Sequence, residues 1–417
     1  MISKKSQLIT KAGACALLLG LTGVTSVVAQ DDKPAPWVEF GGPTAEYIIP
    51  FVPDNLLEEP ELLWEHPIKG QSYGPIAADD KLVIVPDHDG MKDYWNAYDA
   101  TTGEEKWVFE LENSEEMDFG ASPRAMPLLL EDKVIILNAW GHLMALNRED
   151  GSVIWQQNFQ EDYDAVVPIW GWCSTPVITD GKLIVNPGGA EGGIVALNPD
   201  DGSLIWDCPS EPANYSSFLV AEFGGKKQII TYDDSYLLGI DAETGERLWE
   251  FETSASSGYI VPNPVKIGDQ LLLVDDEHGT RLFDMVDGKL DEDSMVESYD
   301  ILSELATPVI FNDMALFLFY EMICADPTTL EILWRIDDHD PFAVGAYGTF
   351  YVDPENNRVL VYSADGSITL LNVSRESGEI ITSKKLTMRS ETVPAIVGNK
   401  IYCRDDEKAC YAYKLWE

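Results

Sequence analysis

The residues of this chain that could do chemistry are scattered, and their spacing excludes more than it assigns. Asp87-His88-Asp89-Gly90 has the oxygen-rich start of a calcium loop, but Met91 and Tyr98 stand where an EF-hand places further ligands, so no calcium site is expected there. The histidines lie in separate stretches without ligand spacing. Neither a Gly-x-Ser-x-Gly elbow nor a His-Glu-x-x-His helix occurs, so a hydrolase or zinc enzyme lacks its parts. Cys403 and Cys410 flank a stretch, Arg404 to Ala409, that reads as a hairpin loop. They could face each other as a disulfide if the chain is exported. Cys173, Cys208 and Cys324 have no metal-knuckle spacing.

The elements that must position these groups are announced by tryptophan. Trp64, Trp107, Trp155, Trp206 and Trp249 are spaced by 43, 48, 51 and 43 residues, and Trp334 follows after 85, two more periods. A period of this length is that of a four-stranded propeller blade. Each Trp follows a turn, as in Asp99-Ala100-Thr101-Thr102-Gly103, Asn198-Pro199-Asp200-Asp201-Gly202 and Asp241-Ala242-Glu243-Thr244-Gly245. Asp and Asn open such turns through bonds to the following backbone, and Gly supplies the positive φ that closes them. The Trp residues are therefore read as structural, packing between blades.

Two periods keep the turn without the Trp: Phe283 to Leu290, and Asn372 to Ile381. Upstream of each turn lie a Pro or small residue, an apolar run, a Gly or Asp turn and a β-branched run, clearest in Thr175 to Val185. Counterparts start near Pro75, Pro127, Phe218, Pro264, Pro308, Val344 and Pro394, which makes eight units. The last lacks a fourth strand, while the strand around Trp64 lacks the three before it. The expected fold is all-β, an eight-bladed propeller closed by pairing of the N-terminal strand with the C-terminal blade.

The recurring Asp/Asn-x-x-Thr/Asp-Gly-x-x-x-Trp frame resembles the pyrroloquinoline-quinone-type (PQQ-like) repeat, and eight copies resemble the BamB-like outer-membrane assembly factors and related secreted propellers. Trp37-Val38-Glu39-Phe40-Gly41-Gly42-Pro43 is similar to a segment that often precedes such propellers. The resemblance implies the fold and leaves open several functions, since the repeats serve quinoprotein dehydrogenases as well as non-catalytic scaffolds. A dehydrogenase of that family would use a stacking Trp, for which Trp170 and Trp172 are the candidates, with PQQ and calcium. Its adjacent cysteines and a Cys-x-x-Cys-His haem motif are absent here. No cofactor is expected.

Lys4, Lys5 and Lys11 precede an apolar stretch ending in Val27-Val28-Ala29, the pattern of a cleavable signal peptide. The expected organisation is a signal peptide over residues 1–29, an N-terminal extension over 30–60 and the propeller over 61–417. The mature protein should be periplasmic or secreted and should have no transmembrane segment. Cys15 precedes most of the apolar run, which makes it a poor lipid-attachment site. With 28 basic and 72 acidic residues the net charge is −44, which argues against nucleic acid as a partner.

In a propeller the loops between second and third strands and the connections between blades share one face. That face should carry Trp95, Arg124, Trp140, His142, Tyr163, Trp170, Trp172 and Tyr259. The connection over residues 156–175 concentrates several of them, and it must either plug the channel or present its aromatics to a ligand. Aromatic anchors within an acidic rim suit a protein or peptide partner, and carbohydrate could stack on the same rings. The favoured expectation is a monomeric, non-catalytic binding scaffold. A PQQ-dependent dehydrogenase and a carbohydrate-binding propeller stand as alternatives.

Overall fold

Each Asp-x-x-Thr-Gly segment folds as the hairpin its residues dictate. The Asp99 carboxylate accepts the backbone N–H groups of Thr101 and Thr102, Gly103 takes φ +72°, and its N–H donates to the Asp99 carbonyl at 2.9 Å. The strand that leaves the turn is bulged at Lys106, seen as the register shift between Ala97, opposite Trp107, and Tyr98, opposite Glu105. The outermost strand pair of every blade carries such a shift.

The computed structural model of the protein describes residues 35–42, 46–113, 117, 120, 122–253 and 259–417. The expected signal peptide lies outside the described residues. Eight four-stranded antiparallel sheets form the eight blades of a propeller. Seven are built from consecutive strands, the first spanning residues 77–112 and the seventh 348–385. The eighth takes three strands from residues 395–414 and its outermost strand from Glu61–Pro67, which pairs antiparallel with Ala409–Lys414 so that Trp64 lies opposite Ala412. The ring thus closes through its two ends. Among the described residues no helix is long and apolar enough to cross a membrane.

Tryptophans and turn glycines interlock from blade to blade. A Cβ added at Gly103, Gly151, Gly202 or Gly245 would lie within 3.0 Å of Trp64, Trp107, Trp155 or Trp206 respectively, each on the preceding blade. Trp107, Trp155 and Trp334 also donate their indole N–H to carbonyls of the next blade's turn, Arg148, Pro199 and Ser374. Trp249 departs from the pattern. It packs on Gly239 of its own strand pair and donates to Gln228, whose amide reaches the Gly288 carbonyl on the next blade. The tight two-residue turn at Asp287-Gly288 offers no glycine platform to receive it.

Where a Trp is missing, so is the glycine it would meet. The fifth blade has no Trp in its outer strand, and in the sixth Leu330 occupies the turn position at φ +58° with its side chain buried. The seventh blade also lacks a Trp, and the eighth has no such turn because its fourth strand comes from the other end of the chain.

Two expectations are corrected. The seventh inner strand begins at Gly348 rather than near Val344, because Asp340–Ala343 forms a short helix and the four residues after it belong to the connection. Cys403 and Cys410 are buried and free. Cys403 pairs with Tyr411 and Arg404 with Cys410, so the two thiols leave opposite faces of the sheet.

The segment before the first strand crosses the channel on the side of the Thr-Gly turns. Trp37 exchanges backbone bonds with Ala78 of the first blade at 2.7 and 2.8 Å, Val38 accepts from Leu129 of the second, and Ile49 donates to Val352 of the seventh. Trp37 is fully buried, its ring 5.0 Å from that of Tyr351.

Candidate binding funnel

The blade connections converge on the axis because each innermost strand starts there. In seven blades the residue four positions ahead of that strand points inward: Tyr73, Arg124, Cys173, Tyr215, Val261, Leu305 and Glu391. Tyr347 takes the matching place ahead of the longer seventh inner strand. These eight residues line a funnel of about 750 Å³ that is open on the connection face, with Phe40 of the crossing segment at its lining. Beneath them runs a belt of hydrogen bonds between neighbouring blades. The backbone N–H groups of Met126, Thr175, Ser217 and Asn263 donate to side-chain oxygens of Thr175, Ser217, Asn263 and Thr307, at 2.8 to 3.1 Å.

The walls are aromatic. The Tyr73 and Tyr347 rings lie nearly parallel with centroids 6.2 Å apart, and the Arg124 guanidinium sits over Tyr73 at 4.9 Å. Trp170 packs between Tyr215 at 5.2 Å and Tyr259 at 4.8 Å. The Tyr259 hydroxyl donates to Glu304 at 3.2 Å, and Arg389 pairs with Glu391. Burial pushes the Tyr73, Tyr215 and Tyr259 phenols up to about 12, with Glu391 adding to the shift at Tyr73 and Asp276 and Glu304 at Tyr259. Burial raises the Cys173 thiol to about 11 against the opposing pull of Arg124. At neutral pH the funnel therefore presents phenols and a thiol as uncharged donors, and Cys173 is no thiolate nucleophile.

Of the residues expected on this face, Arg124, Trp170 and Tyr259 come together in the funnel. Trp95, Tyr163 and Trp172 do not; each is buried in the blades. Trp95 lies against Phe109, and the Tyr163 hydroxyl donates to Gln157. Trp172 sits edge-on to Phe159 and donates to the Pro187 carbonyl at 3.1 Å. Trp140 and His142 are half-buried in the second blade's hairpin, outside the funnel lining. The connection over residues 156–175 is thus both plug and surface, with Val166 and Ile169 each 72% exposed at its tip. The sequence already placed Tyr347 on this face, while Tyr73, Tyr215, Cys173 and Glu391 were missed there. Their recurrence at one offset from the inner strand was the available signal.

The acids of this face are consumed by the fold. Asp87 accepts from the backbone of Lys69, Gly70 and His88, and Asp89 caps Met91 and Lys92 while accepting from Tyr94. Asp233, Asp275 and Asp405 cap equivalent hairpins. Among the described residues no group of three or more His, Cys, Asp or Glu side chains is arranged to hold a metal ion. Glu304 and Glu391 are each engaged by a neighbour, and Cys173 is flanked by Trp172 and Ser174. The funnel residues do not fit a quinone and calcium pair with adjacent cysteines.

Compared with known proteins, residues 58–166 and 169–289 match the family described as outer membrane protein assembly factor BamB. The Yersinia pestis protein of that name is 24% identical over 305 residues, 70% of this chain, and the match spans 64% of that protein's own length. The crystal structure of BamB from Moraxella catarrhalis superposes with a TM-score of 0.58 at 16% identity, covering 85% of this chain and 97% of that one. A quinohemoprotein alcohol dehydrogenase from Comamonas testosteroni gives 0.66 at 13% identity, covering 91% and 80%. The two structural likenesses speak to the fold alone.

Proposed function

This chain belongs to the family of outer membrane protein assembly factor BamB, and from that premise we propose that it is an exported, non-catalytic scaffold holding protein or peptide partners on its connection face. One observation carries the reading. Val166 and Ile169, each 72% exposed, stand at the tip of a connection that is anchored by the buried rings of Phe159, Tyr163 and Trp172. Large apolar side chains held out on a rigid base are how an interface presents an anchor. Tyr320 and Val344, 50% and 45% exposed, add apolar surface to the funnel lining from the sixth and seventh blades. The relatives named assembly factors make a component of outer-membrane assembly the partner class to test first. The lysines and apolar run ahead of Ala29 support a periplasmic setting. Chemistry on a quinone is not part of this reading, because the funnel residues do not fit that cofactor.

The test uses the full chain as bait in a solubilised envelope extract, beside a Val166→Asp, Ile169→Asp variant. An outer-membrane assembly protein should be enriched by the wild type and lost from the variant, with the two melting at the same temperature. Equal capture by both would remove the rim from the interface.

A further inference from the structure

We propose that the funnel interior is a second, separate site, which binds an uncharged hydroxyl-bearing ring compound, a saccharide, against the wall of the seventh blade. The inference goes beyond the rim reading and does not depend on it. It begins where the belt of inter-blade hydrogen bonds is interrupted. Thr175, Ser217, Asn263 and Thr307 each accept a backbone N–H from the preceding blade. Thr349 stands at the same position of the seventh blade, 4% exposed, and its hydroxyl has no partner within the protein. The Ser363 hydroxyl, 1% exposed on the neighbouring strand, has none either.

Both residues line the funnel. A buried hydroxyl without a partner is unfavourable, and folds pair such groups unless something else does so. The register puts Thr349 opposite Tyr362 and Ser363 opposite Gly348, so the two hydroxyls frame the inner corner of the blade from its two sides. The same funnel lining has open space at Gly345. A Cβ added at Gly345 would meet only the Ala364 methyl, at 3.5 Å.

The rest of the funnel suits a sugar ring better than an ion. The Tyr73 and Tyr347 rings form one aromatic wall, and Trp170 with Tyr215 and Tyr259 forms another. Such faces stack on the apolar C–H face of a pyranose, while hydroxyls at the ring's edge seek small polar partners. Arg389 is paired with Glu391, Arg124 sits over Tyr73, and Glu304 accepts from Tyr259. With two guanidinium groups balanced by two carboxylates, the funnel has little net charge to select an anion or a cation. A volume of about 750 Å³ lies within the range of small-molecule sites.

Isothermal titration of the purified full chain with maltose, cellobiose and N,N′-diacetylchitobiose tests the proposal, with tryptophan fluorescence as a second readout through Trp170. At least one sugar should bind with Kd below about 1 mM. A Thr349→Val, Ser363→Ala variant should lose affinity about tenfold or more, since one or two hydrogen bonds are removed, with its melting temperature unchanged or raised. A single Ser363→Ala change should give a smaller loss in the same direction, which covers the case of a double variant that fails to fold. No binding by any of the three sugars, or unchanged affinity in the hydroxyl variants, would overturn the proposal. The Val166→Asp, Ile169→Asp rim variant should bind sugar as the wild type does. Failure of the rim reading and failure of this one therefore appear in different measurements.

Discussion

Gly151 and Gly181 have nearly the same backbone, φ +71° and +73°, in very different surroundings. A Cβ at Gly151 would meet the Trp107 ring at 2.7 Å, whereas nothing lies within 4 Å at Gly181. Gly181→Ala should therefore cost only the left-handed backbone, about 1–2 kcal/mol. Gly151→Ala should cost that and about 1–3 kcal/mol more for overpacking against Trp107. The difference between the two denaturation midpoints measures the interlock. Equal losses would mean that the ring moves aside freely and that the repeated Gly serves only its turn. Much at this scale was legible, because Trp and Gly recur at fixed offsets and each has one physical use there. Leu330 in the glycine position went unread, although it is the complement of the Trp missing from the blade before it. Trp249 was not legible, since its docking through Gln228 depends on how tight the next blade's turn is. Nor was the separation of Cys403 from Cys410: loop length suggested opposition, and a one-residue register offset undid it.

Among the elements, the connection over residues 156–175 has the most divided task. Phe159, Tyr163 and Trp172 are buried, Trp170 stands in the funnel, and Val166 and Ile169 face solvent. The aromatic content of this stretch was readable from sequence as plug or surface. Which residue did which was not, because the groups that bury Trp172, among them Gly141 and the Pro187 carbonyl, come from other elements. Trp172→Ala should lose about 3–5 kcal/mol, the cost of emptying a filled core position, together with an indole hydrogen bond. Trp170→Ala should cost clearly less, as its ring lies against an open funnel, while weakening any ligand held there. Thermal melting of the two variants checks the order. A larger loss from Trp170→Ala would mean that the aromatic cluster around it is core and not a binding wall.

For the whole molecule, closure was the most legible property, since each chain end carries what the other lacks. The sequence did not reveal how the seam is reinforced. His66 stacks on Tyr98 with centroids 4.3 Å apart, the Tyr402 hydroxyl donates to the Ala100 carbonyl, and the buried Arg404 guanidinium of the eighth blade reaches the Pro86 and Gly70 carbonyls. Trp64 and Trp107 give a test of the seam against an ordinary blade junction. Their exposures are 8% and 7%, and each packs on the next blade's turn glycine. Trp107 also donates to the Arg148 carbonyl, whereas the Trp64 indole N–H is buried without a partner. Trp107→Ala should therefore lose at least as much global stability as Trp64→Ala, about 3–5 kcal/mol. Local opening should run the other way. The strand Glu61–Pro67 is held to the eighth blade by pairing and packing and not by a hairpin, so it can detach without breaking up another blade. Hydrogen exchange should thus accelerate selectively in residues 61–67 and 409–414 of Trp64→Ala, and uniformly around the ring in Trp107→Ala. Uniform acceleration in both would show that the propeller opens only by unfolding as one unit.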